Sequence, residues 1–298
     1  MKSLIKKLTT KPIWWWERKR PYPIRREWKH LNPVECASAD HSTLLILTST
    51  ATLDDAIWSA WSWCRHLGDR FRICIAVDGT YPAEYALSAN RIINNLYIAT
   101  VDELLNIGEQ LPESIRNFRN YHVFGKKLAL ILKFQRTGNL LYSDADVVLF
   151  RFPVDLVAFI SQQEACYNGE NGVDSFDPKI LDQCEKFGLP PRSALNAGLL
   201  YLPQGSLQIS IAEKLLQNWS PDDSSWFTEQ TIVASLMEAA DARELSKDAY
   251  VVNNDRQFFW EPDVDYNKIA TRHFTGTTRH LLYLKAYPIL KKNESKRC

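Results

Sequence analysis

The sequence predicts an α/β protein whose central sheet is mostly parallel and flanked by helices. From residue 44 onward, short apolar runs alternate with amphipathic helical segments, which is the order that builds such a sheet. The apolar runs are continuous rather than alternating with polar residues, as expected for strands that are buried on both faces. With 298 residues, 45% of them hydrophobic and 24% charged, the chain can bury a substantial core. We therefore expect a single domain.

The first part of this domain contains three predicted strands, at residues 44–47, 71–77 and 96–101. A helix follows the first strand and ends near Gly68. Asp54 and Asp55 mark its start, because carboxylates are favourable near a helix N-terminus.

Two acids follow a buried strand in the middle of the chain. A helix at residues 126–136 is stopped by Gly138 and leads into an apolar strand at residues 140–142. Asp144 and Asp146 come directly after it, and the carboxyl end of a strand is where open α/β sheets bind ligands. Carboxylates one residue apart suit a hard divalent cation that also holds diphosphate oxygens. We predict that Asp144 and Asp146 are metal ligands.

A second polar cluster lies near the C-terminus. His273 offers an imidazole as the third metal ligand. Gly276 lets the backbone approach a phosphate closely, and Arg279 offers a cation to the same group. Between the two clusters we expect a strand at residues 194–202 that Asn196, Ala197 and Gly198 interrupt. A helix at residues 226–237 and a short strand at residues 250–252 follow.

The two ends of the chain differ from the middle in charge. Residues 1–40 form a basic arm rich in Trp and Pro, and its first thirty residues hold ten Lys and Arg against two Glu, a net charge of +8. Cations beside tryptophans suit an anionic membrane surface. The alternative is that the tryptophans pack on the domain and the charges remain solvated. Residues 286–298 are interpreted as a basic tail.

Composition also predicts several absences. No run of eighteen apolar residues and no secretory signal is visible, so we expect a cytoplasmic protein, attached at most peripherally to a membrane. The six cysteines are scattered without zinc-ligand spacing, which indicates reduced thiols. No nucleic acid partner is expected.

The motifs together resemble a known family. The segment from Tyr142 to Val148, followed by Arg151 and Pro153, looks like the acidic segment of the nucleotide-diphospho-sugar transferases. The sequences Asn-Ala-Gly at 196–198 and Glu-Gln at 229–230, together with the His273, Gly276 and Arg279 pattern, resemble the glycogenin and lipopolysaccharide-galactosyltransferase family. Four motifs occur in the family's order, and this order is more specific than any one of them.

This resemblance implies a GT-A (Rossmann-like) domain at residues 41–285, with a nucleotide-binding half at 41–150 and an acceptor half at 151–285. Mn²⁺ or Mg²⁺ would be bound by Asp144, Asp146 and His273. The residues that would contact the nucleotide-sugar donor are Thr48, Ser49, Thr50, Asp78, Lys126 or Lys127, Ser143, Ala145, Gly276 and Arg279. Asn196 and Gln230 would line the donor sugar, and Glu229 is the further catalytic candidate.

The resemblance implies a metal-dependent glycosyltransferase that moves a sugar, from UDP by family expectation, to a glycan, lipid-linked or protein acceptor with retention of configuration. An inverting enzyme would instead need a base beside the acceptor, for which Glu229, Asp174 and Asp177 are available. A non-catalytic glycan- or partner-binding domain is a second interpretation, given the ten tryptophans. A third is a haloacid-dehalogenase-like phosphatase with Asp144 as nucleophile.

Overall fold

The computed structural model describes residues 22–38, 42–108, 110–170, 176–191, 194–223, 225–253 and 264–294. The strands are β1 (Val34–Glu35), β2 (Ser42–Ser49), β3 (Phe71–Asp78), β4 (Ile93–Asn94), β5 (Tyr97–Thr100), β6 (Leu140–Asp144), β7 (Val147–Leu149), β8 (Cys166–Gly169), β9 (Leu195–Leu202), β10 (Arg243–Leu245), β11 (Tyr250–Asn253) and β12 (Thr271–Phe274). The α-helices of four residues or more are α1 (Leu53–Leu67), α2 (Ala83–Ile92), α3 (Val101–Asn106), α4 (Glu113–Tyr121), α5 (Gly125–Thr137), α6 (Val154–Gln162), α7 (Pro178–Lys186), α8 (Ile209–Leu216), α9 (Thr228–Ala239) and α10 (Tyr287–Glu294).

The central sheet has seven strands in the order β10-β8-β9-β6-β2-β3-β5. Strands β2, β3, β5 and β6 are parallel to one another, and β8 and β10 share their direction, whereas β9 is antiparallel to both of its neighbours. The expected α/β fold with a mostly parallel sheet and flanking helices is confirmed.

The sheet is buried on both faces because successive residues of a strand point to opposite sides. In β2, Leu44 and Ile46 pack in the hydrophobic cluster that contains α1, while Leu45 packs in the cluster that contains α5. Three tryptophans of α1, Trp58, Trp61 and Trp63, are at most 1% exposed. Helices therefore cover both faces of the central sheet.

A small second sheet joins distant parts of the chain. Strand β12 is parallel to β11 and antiparallel to β7, so that His273 lies opposite Val147. The backbone N–H of Phe274 donates to the carbonyl of Asp146 at 3.0 Å. The region around His273 thus forms strand β12, which the sequence did not predict, and this strand places the imidazole beside the two acids.

The basic segment that precedes β1 packs on the domain. Residues Pro23–His30 form a 3₁₀-helix whose Trp28 is fully buried. The Arg25 guanidinium donates from Nε and Nη2 to the two oxygens of buried Asp55, each at 3.0 Å. Asp55 therefore anchors this segment, in addition to starting α1. Residues 1–21, with Trp14, Trp15 and Trp16, lie outside the described part of the chain.

The C-terminal segment, predicted to be a basic tail from residue 286, also packs on the domain. Tyr287 and Leu290 of α10 are buried. The Tyr287 ring stacks on Trp58 at 4.5 Å, and its hydroxyl donates to Asp55 at 2.9 Å. These apolar contacts explain why a basic sequence forms a docked helix here. The domain boundaries themselves stay predictions.

The strand expected at residues 194–202 is observed as β9, which runs from Leu195 to Leu202 with all eight residues buried. Its pairing with β8 is interrupted close to the predicted place. Tyr167 of β8 pairs with Leu200, whereas the next residue, Asn168, pairs with Asn196, so residues 197–199 of β9 have no partner in β8. On its other side, β9 pairs with β6 only through residues 199–202.

Two predictions from composition can be compared with the described residues. Among the described helices, none is long and apolar enough to cross a membrane. The five cysteines that the structure describes are free thiols, and all five are buried.

Candidate functional site

Asp144, Asp146 and His273 form a cluster at the carboxyl end of β6. One ligand atom from each residue lies within 4.8 Å of the other two. Nε2 of His273 is 3.1 Å from Oδ1 of Asp146 and 3.6 Å from Oδ2 of Asp144. A metal bound about 2.1 Å from each atom needs such separations, and carboxylates with an imidazole suit a divalent cation. These three residues could hold a metal ion.

Asn196 fixes which nitrogen of His273 faces the acids. Its amide nitrogen donates to Oε2 of Glu170 at 2.9 Å, so its Oδ1 is the acceptor, and this oxygen also accepts from the backbone N–H of Gly198 at 3.0 Å. Nδ1 of His273, 2.8 Å from that Oδ1, must therefore carry a proton and donate it. Nε2 is left as the metal-facing nitrogen, the arrangement typical of ligating histidines.

Gly198 gives the imidazole its space. A methyl group at this position would lie 2.3 Å from Cε1 of His273 and 2.5 Å from Nδ1. Gly198 was predicted only as part of the Asn-Ala-Gly motif, without a role of its own. The signal was its position two residues after Asn196 on the same strand, because alternate strand residues share a face.

The acids are neutralised by cations that already lie in the site. Nη2 of Arg279 is 3.2 Å from Oδ2 of Asp146. Burial favours the neutral carboxyl, but Arg279 and His273 outweigh it and hold the pKa of Asp146 well below its usual range. Burial likewise opposes the imidazolium, yet Asp146 and Asp144 raise the pKa of His273. Gly276, which has a φ of 49°, begins the short turn that leads to Arg279.

Lys127 and Glu229 extend this network beside Asp144. Nζ of Lys127 is 3.4 Å from Oδ2 of Asp144 and 4.0 Å from Oε1 of Glu229. Burial raises the pKa of Glu229 to about 7, against the opposing effect of Lys127. Oε1 of Glu229 is buried and makes no hydrogen bond within the described chain. This carboxyl group therefore lies buried in the acid cluster with one oxygen that has no hydrogen-bond partner among the described residues.

The residues predicted at the nucleoside lie at the adjoining strand ends. Ser49 pairs with Asp78 across β2 and β3, and the hydroxyl of Thr50 donates to the carbonyl of Thr80 at 2.8 Å. Nζ of Lys126 is 2.6 Å from Oδ1 of Asp78. Lys126 therefore lies at the carboxyl end of β3, while Lys127 lies beside the metal-ligand candidate Asp144.

Four further residues predicted at the donor site are mostly buried near the carboxyl ends of the central strands. Thr48 is almost fully buried and bonds to the hydroxyl of Thr52 at 2.9 Å. Ser143 is fully buried and accepts from the indole of Trp63, so its side chain points toward α1. Ala145 is buried between the two acids. Oε1 of Gln230 accepts from the backbone N–H of Ala197 at 3.5 Å, which places it beside Asn196.

Asp177, one of the three acids available as an inverting base, caps the N-terminus of α7. Its Oδ1 accepts from the backbone N–H groups of Lys179 and Ile180 at the start of α7, and its other oxygen accepts from the hydroxyl of Thr228. Asp174 lies outside the described residues. Of the acids considered, Glu229 is therefore the one that the structure places in the cluster.

The loops that precede α5 and α9 are bonded to each other beside the site. The backbone N–H of Phe124 donates to Nδ1 of His122, so Nε2 of the neutral ring carries the proton and donates to the carbonyl of Ser225 at 2.9 Å. The Phe124 and Trp226 rings meet edge to face at 4.8 Å.

This bond network predicts a pH dependence of stability. Burial lowers the pKa of His122 below 6.5, against smaller opposing effects of the Ser225 carbonyl and Asp177. The contribution of neutral His122 to the free energy of unfolding is therefore complete above the pKa that this residue has in the unfolded chain. It is lost as pH falls from that value through the lower pKa of the folded state, because protonation of Nδ1 removes the acceptor for the backbone N–H of Phe124. We expect the melting temperature to fall between about pH 7 and 5, and to fall less in His122→Gln, which does not titrate. Equal falls in both proteins would contradict the assignment.

The fold and this arrangement define the structural class of the protein. The chain has a GT-A glycosyltransferase-like fold, with the Asp144, Asp146 and His273 cluster at the carboxyl edge of its central sheet.

Solved structures similar to this chain carry the same fold. One is the bifunctional glycosyltransferase WbbM in its apo form, with 12% identity, coverage of 88% of this chain and 53% of that chain, and a TM-score of 0.54. This chain thus spans about half of that protein's length. Another is the galactosyltransferase LgtC in complex with donor and acceptor sugar analogues, with 14% identity, coverage of 78% and 87%, and a TM-score of 0.50. No protein-family model matches the sequence, and no curated protein matches it.

Proposed function

We propose that this protein is a divalent-metal-dependent glycosyltransferase that uses a nucleotide-diphosphate sugar, with UDP as the expected nucleotide. The observation that carries the proposal is the cluster of Asp144, Asp146 and His273, in which Asn196 leaves Nε2 of the imidazole facing both carboxylates. The GT-A-like fold supports it, because the cluster lies at the edge where such sheets bind ligands.

The surrounding residues have separate tasks under this proposal. Mn²⁺ or Mg²⁺, held by Asp144, Asp146 and His273, would neutralise charge on the departing nucleoside diphosphate. Arg279 supplies a fixed cation beside Asp146, where it can bind a phosphate. Asn196 orients His273, and its amide is already engaged by Glu170, Gly198 and His273. Gln230 and Glu229 are the donor-sugar contacts.

Retention of configuration is part of the proposal. An inverting reaction needs a free base beside the acceptor. Asp177 is occupied by the start of α7, and Glu229 is buried next to Lys127. Neither is a free surface base, which favours a mechanism in which the leaving diphosphate assists the acceptor. NMR of the product anomer tests this point, and an inverted product would exclude it.

The acceptor is a glycan, a lipid-linked sugar or a protein. Membrane contact through residues 1–21 and a cytoplasmic location stay predictions. The phosphatase interpretation needs Asp144 as a free nucleophile. Its two oxygens are instead bonded to Tyr142 at 2.6 Å and Lys127 at 3.4 Å, and the fold favours the glycosyltransferase.

A thermal-shift screen tests the function. A true donor at a hundredfold excess over its dissociation constant stabilises by about 2.7 kcal/mol, which corresponds to about 5 °C for a chain of this size. We expect one nucleotide sugar to give this shift with Mn²⁺ and a much smaller one with EDTA. Slow metal-dependent hydrolysis of the same donor should accompany it. If no donor in a broad panel is bound or hydrolysed, the non-catalytic binding domain becomes the better account.

A further inference from the structure

Exposed aromatic and apolar side chains gather where α5 and α9 begin. Tyr121, Val123 and Trp226 are 68%, 65% and 67% exposed, which is unusual for side chains of this size. The Phe124 ring packs against the Trp226 ring, with their centroids 4.8 Å apart. We name these four residues the aromatic rim.

The aromatic rim is held in place. Trp226 meets Phe124 edge to face, at an interplanar angle of 86°. The turn that carries Trp226 is fixed by the His122 bond to the Ser225 carbonyl and by a bond from the Ser225 backbone N–H to the hydroxyl of Thr228 at 3.0 Å. The indole of Trp226 contacts Phe124 and is otherwise largely exposed. Because its position is already fixed, it loses little conformational entropy when a ligand stacks on it.

The aromatic rim lies next to the candidate active site. The backbone N–H of Lys127 donates to the carbonyl of Phe124 at 3.1 Å, so Phe124 is one helical turn from a lysine in the acid cluster. Trp226 precedes Glu229 by three residues, which places their Cα atoms at most about 11 Å apart. Helices α5 and α9 therefore each carry a polar residue of the site, Lys127 and Glu229, in the first turn. A residue of the aromatic rim lies just before each helix.

The size of the aromatic rim indicates its occupant. An aromatic side chain buries only about 150–250 Å², so two exposed aromatics and one valine offer much less than the roughly 800 Å² per partner of a stable protein interface. One sugar ring matches this area. A pyranose has an apolar face and a hydroxyl-lined edge, which suits an indole with an exposed face and a polar nitrogen.

We infer that the aromatic rim binds the acceptor and that a pyranose ring of the acceptor stacks on Trp226. This inference rests on the proposed transfer function and names the acceptor class as a glycan or glycoside. The donor is bound by the metal cluster and the ends of β2 and β3, so the two substrates have separate contacts.

The test measures transfer and hydrolysis in one assay. The donor found by the thermal-shift screen is incubated with Mn²⁺ and a panel of p-nitrophenyl pyranosides, and both products are quantified. In Trp226→Ala we expect the ratio of transfer to hydrolysis to fall about tenfold or more, as ring stacking on an aromatic side chain implies. Trp226→Phe should retain most of the ratio, and Val123→Ser should lower it moderately. Phe152→Ala, which removes a 44% exposed aromatic beyond β7, should leave it unchanged.

The outcomes separate the two proposals. An unchanged ratio in both Trp226→Ala and Val123→Ser overturns the assignment of the aromatic rim. So does a wild-type protein that hydrolyses its donor but transfers to no pyranoside, because the acceptor is then of another class. A wild-type protein that neither binds nor hydrolyses any donor overturns the proposed function itself, and the rim assignment falls with it.

Discussion

Replacing Asp146 by Asn is expected to abolish Mn²⁺ binding at millimolar concentrations and to slow donor hydrolysis about 10²- to 10³-fold. The substitution keeps the shape of the side chain but removes the anion that Nε2 of His273 and Nη2 of Arg279 face at 3.1 and 3.2 Å. A neutral amide oxygen is a weaker ligand for a hard cation, and the amide nitrogen would point a donor at one of these two groups.

Calorimetric titration with Mn²⁺ and the hydrolysis rate measure the two effects of Asp146→Asn. Asp182→Asn is the matched control, since Asp182 is a 60% exposed acid that pairs with Lys186 on the helix surface. It should bind metal as the wild type does. Because Asp146 and Arg279 are also a charge pair, the melting temperature of each variant must be recorded. A folded Asp146→Asn protein with hydrolysis within tenfold of wild type would refute the metal-ligand assignment.

Gly198→Ala is expected to weaken Mn²⁺ binding about 10- to 100-fold, although it replaces none of the proposed metal ligands. The added methyl group would lie 2.3 Å from Cε1 of His273 and 2.8 Å from Oδ1 of Asn196, so the ring must move. Moving it breaks the bond between Nδ1 and Asn196 that orients Nε2. Overpacking of this kind also costs about 1–3 kcal/mol of stability.

A double variant separates the steric effect of Gly198→Ala from a general loss of folding. Gly198→Ala combined with His273→Ala relieves the clash, so it should regain part of the lost stability while still failing to bind metal. Gly138→Ala is the control, because no atom lies within 4 Å of a methyl group there and the backbone is extended. Wild-type Mn²⁺ affinity in Gly198→Ala would show that His273 does not need this space.

Much of the sheet could be predicted from the sequence. The apolar runs that became β2, β3 and β6 and the glycine-stopped helix that became α5 are local signals, and the structure reproduces them within one or two residues. Asp144 and Asp146 followed from the same segment. The Asn-Ala-Gly pattern at 196–198 marked the place where the pairing of β9 with β8 is interrupted, although the strand itself continues through these residues.

Contacts between distant segments could not be predicted in this way. The bond between Asn196 and His273 joins residues 77 positions apart, and Gly198 acquires its importance only from that contact. The docking of Arg25 on Asp55 and the meeting of Phe124 with Trp226 likewise depend on packing between segments, for which composition and periodicity give no signal.

The sequence by itself determined the fold class, the principal strands and helices that build the central sheet, and the two acids at its edge, because each depends on neighbouring residues and on hydrophobic periodicity. Only the tertiary structure decided that His273 reaches those acids through β12, which of the two lysines supports Asp144, and that exposed aromatics stand beside the site. The pairing of β12 with β7 and the packing of helices on both faces of the sheet are long-range interactions, and these fix the positions of side chains that the chain order leaves far apart.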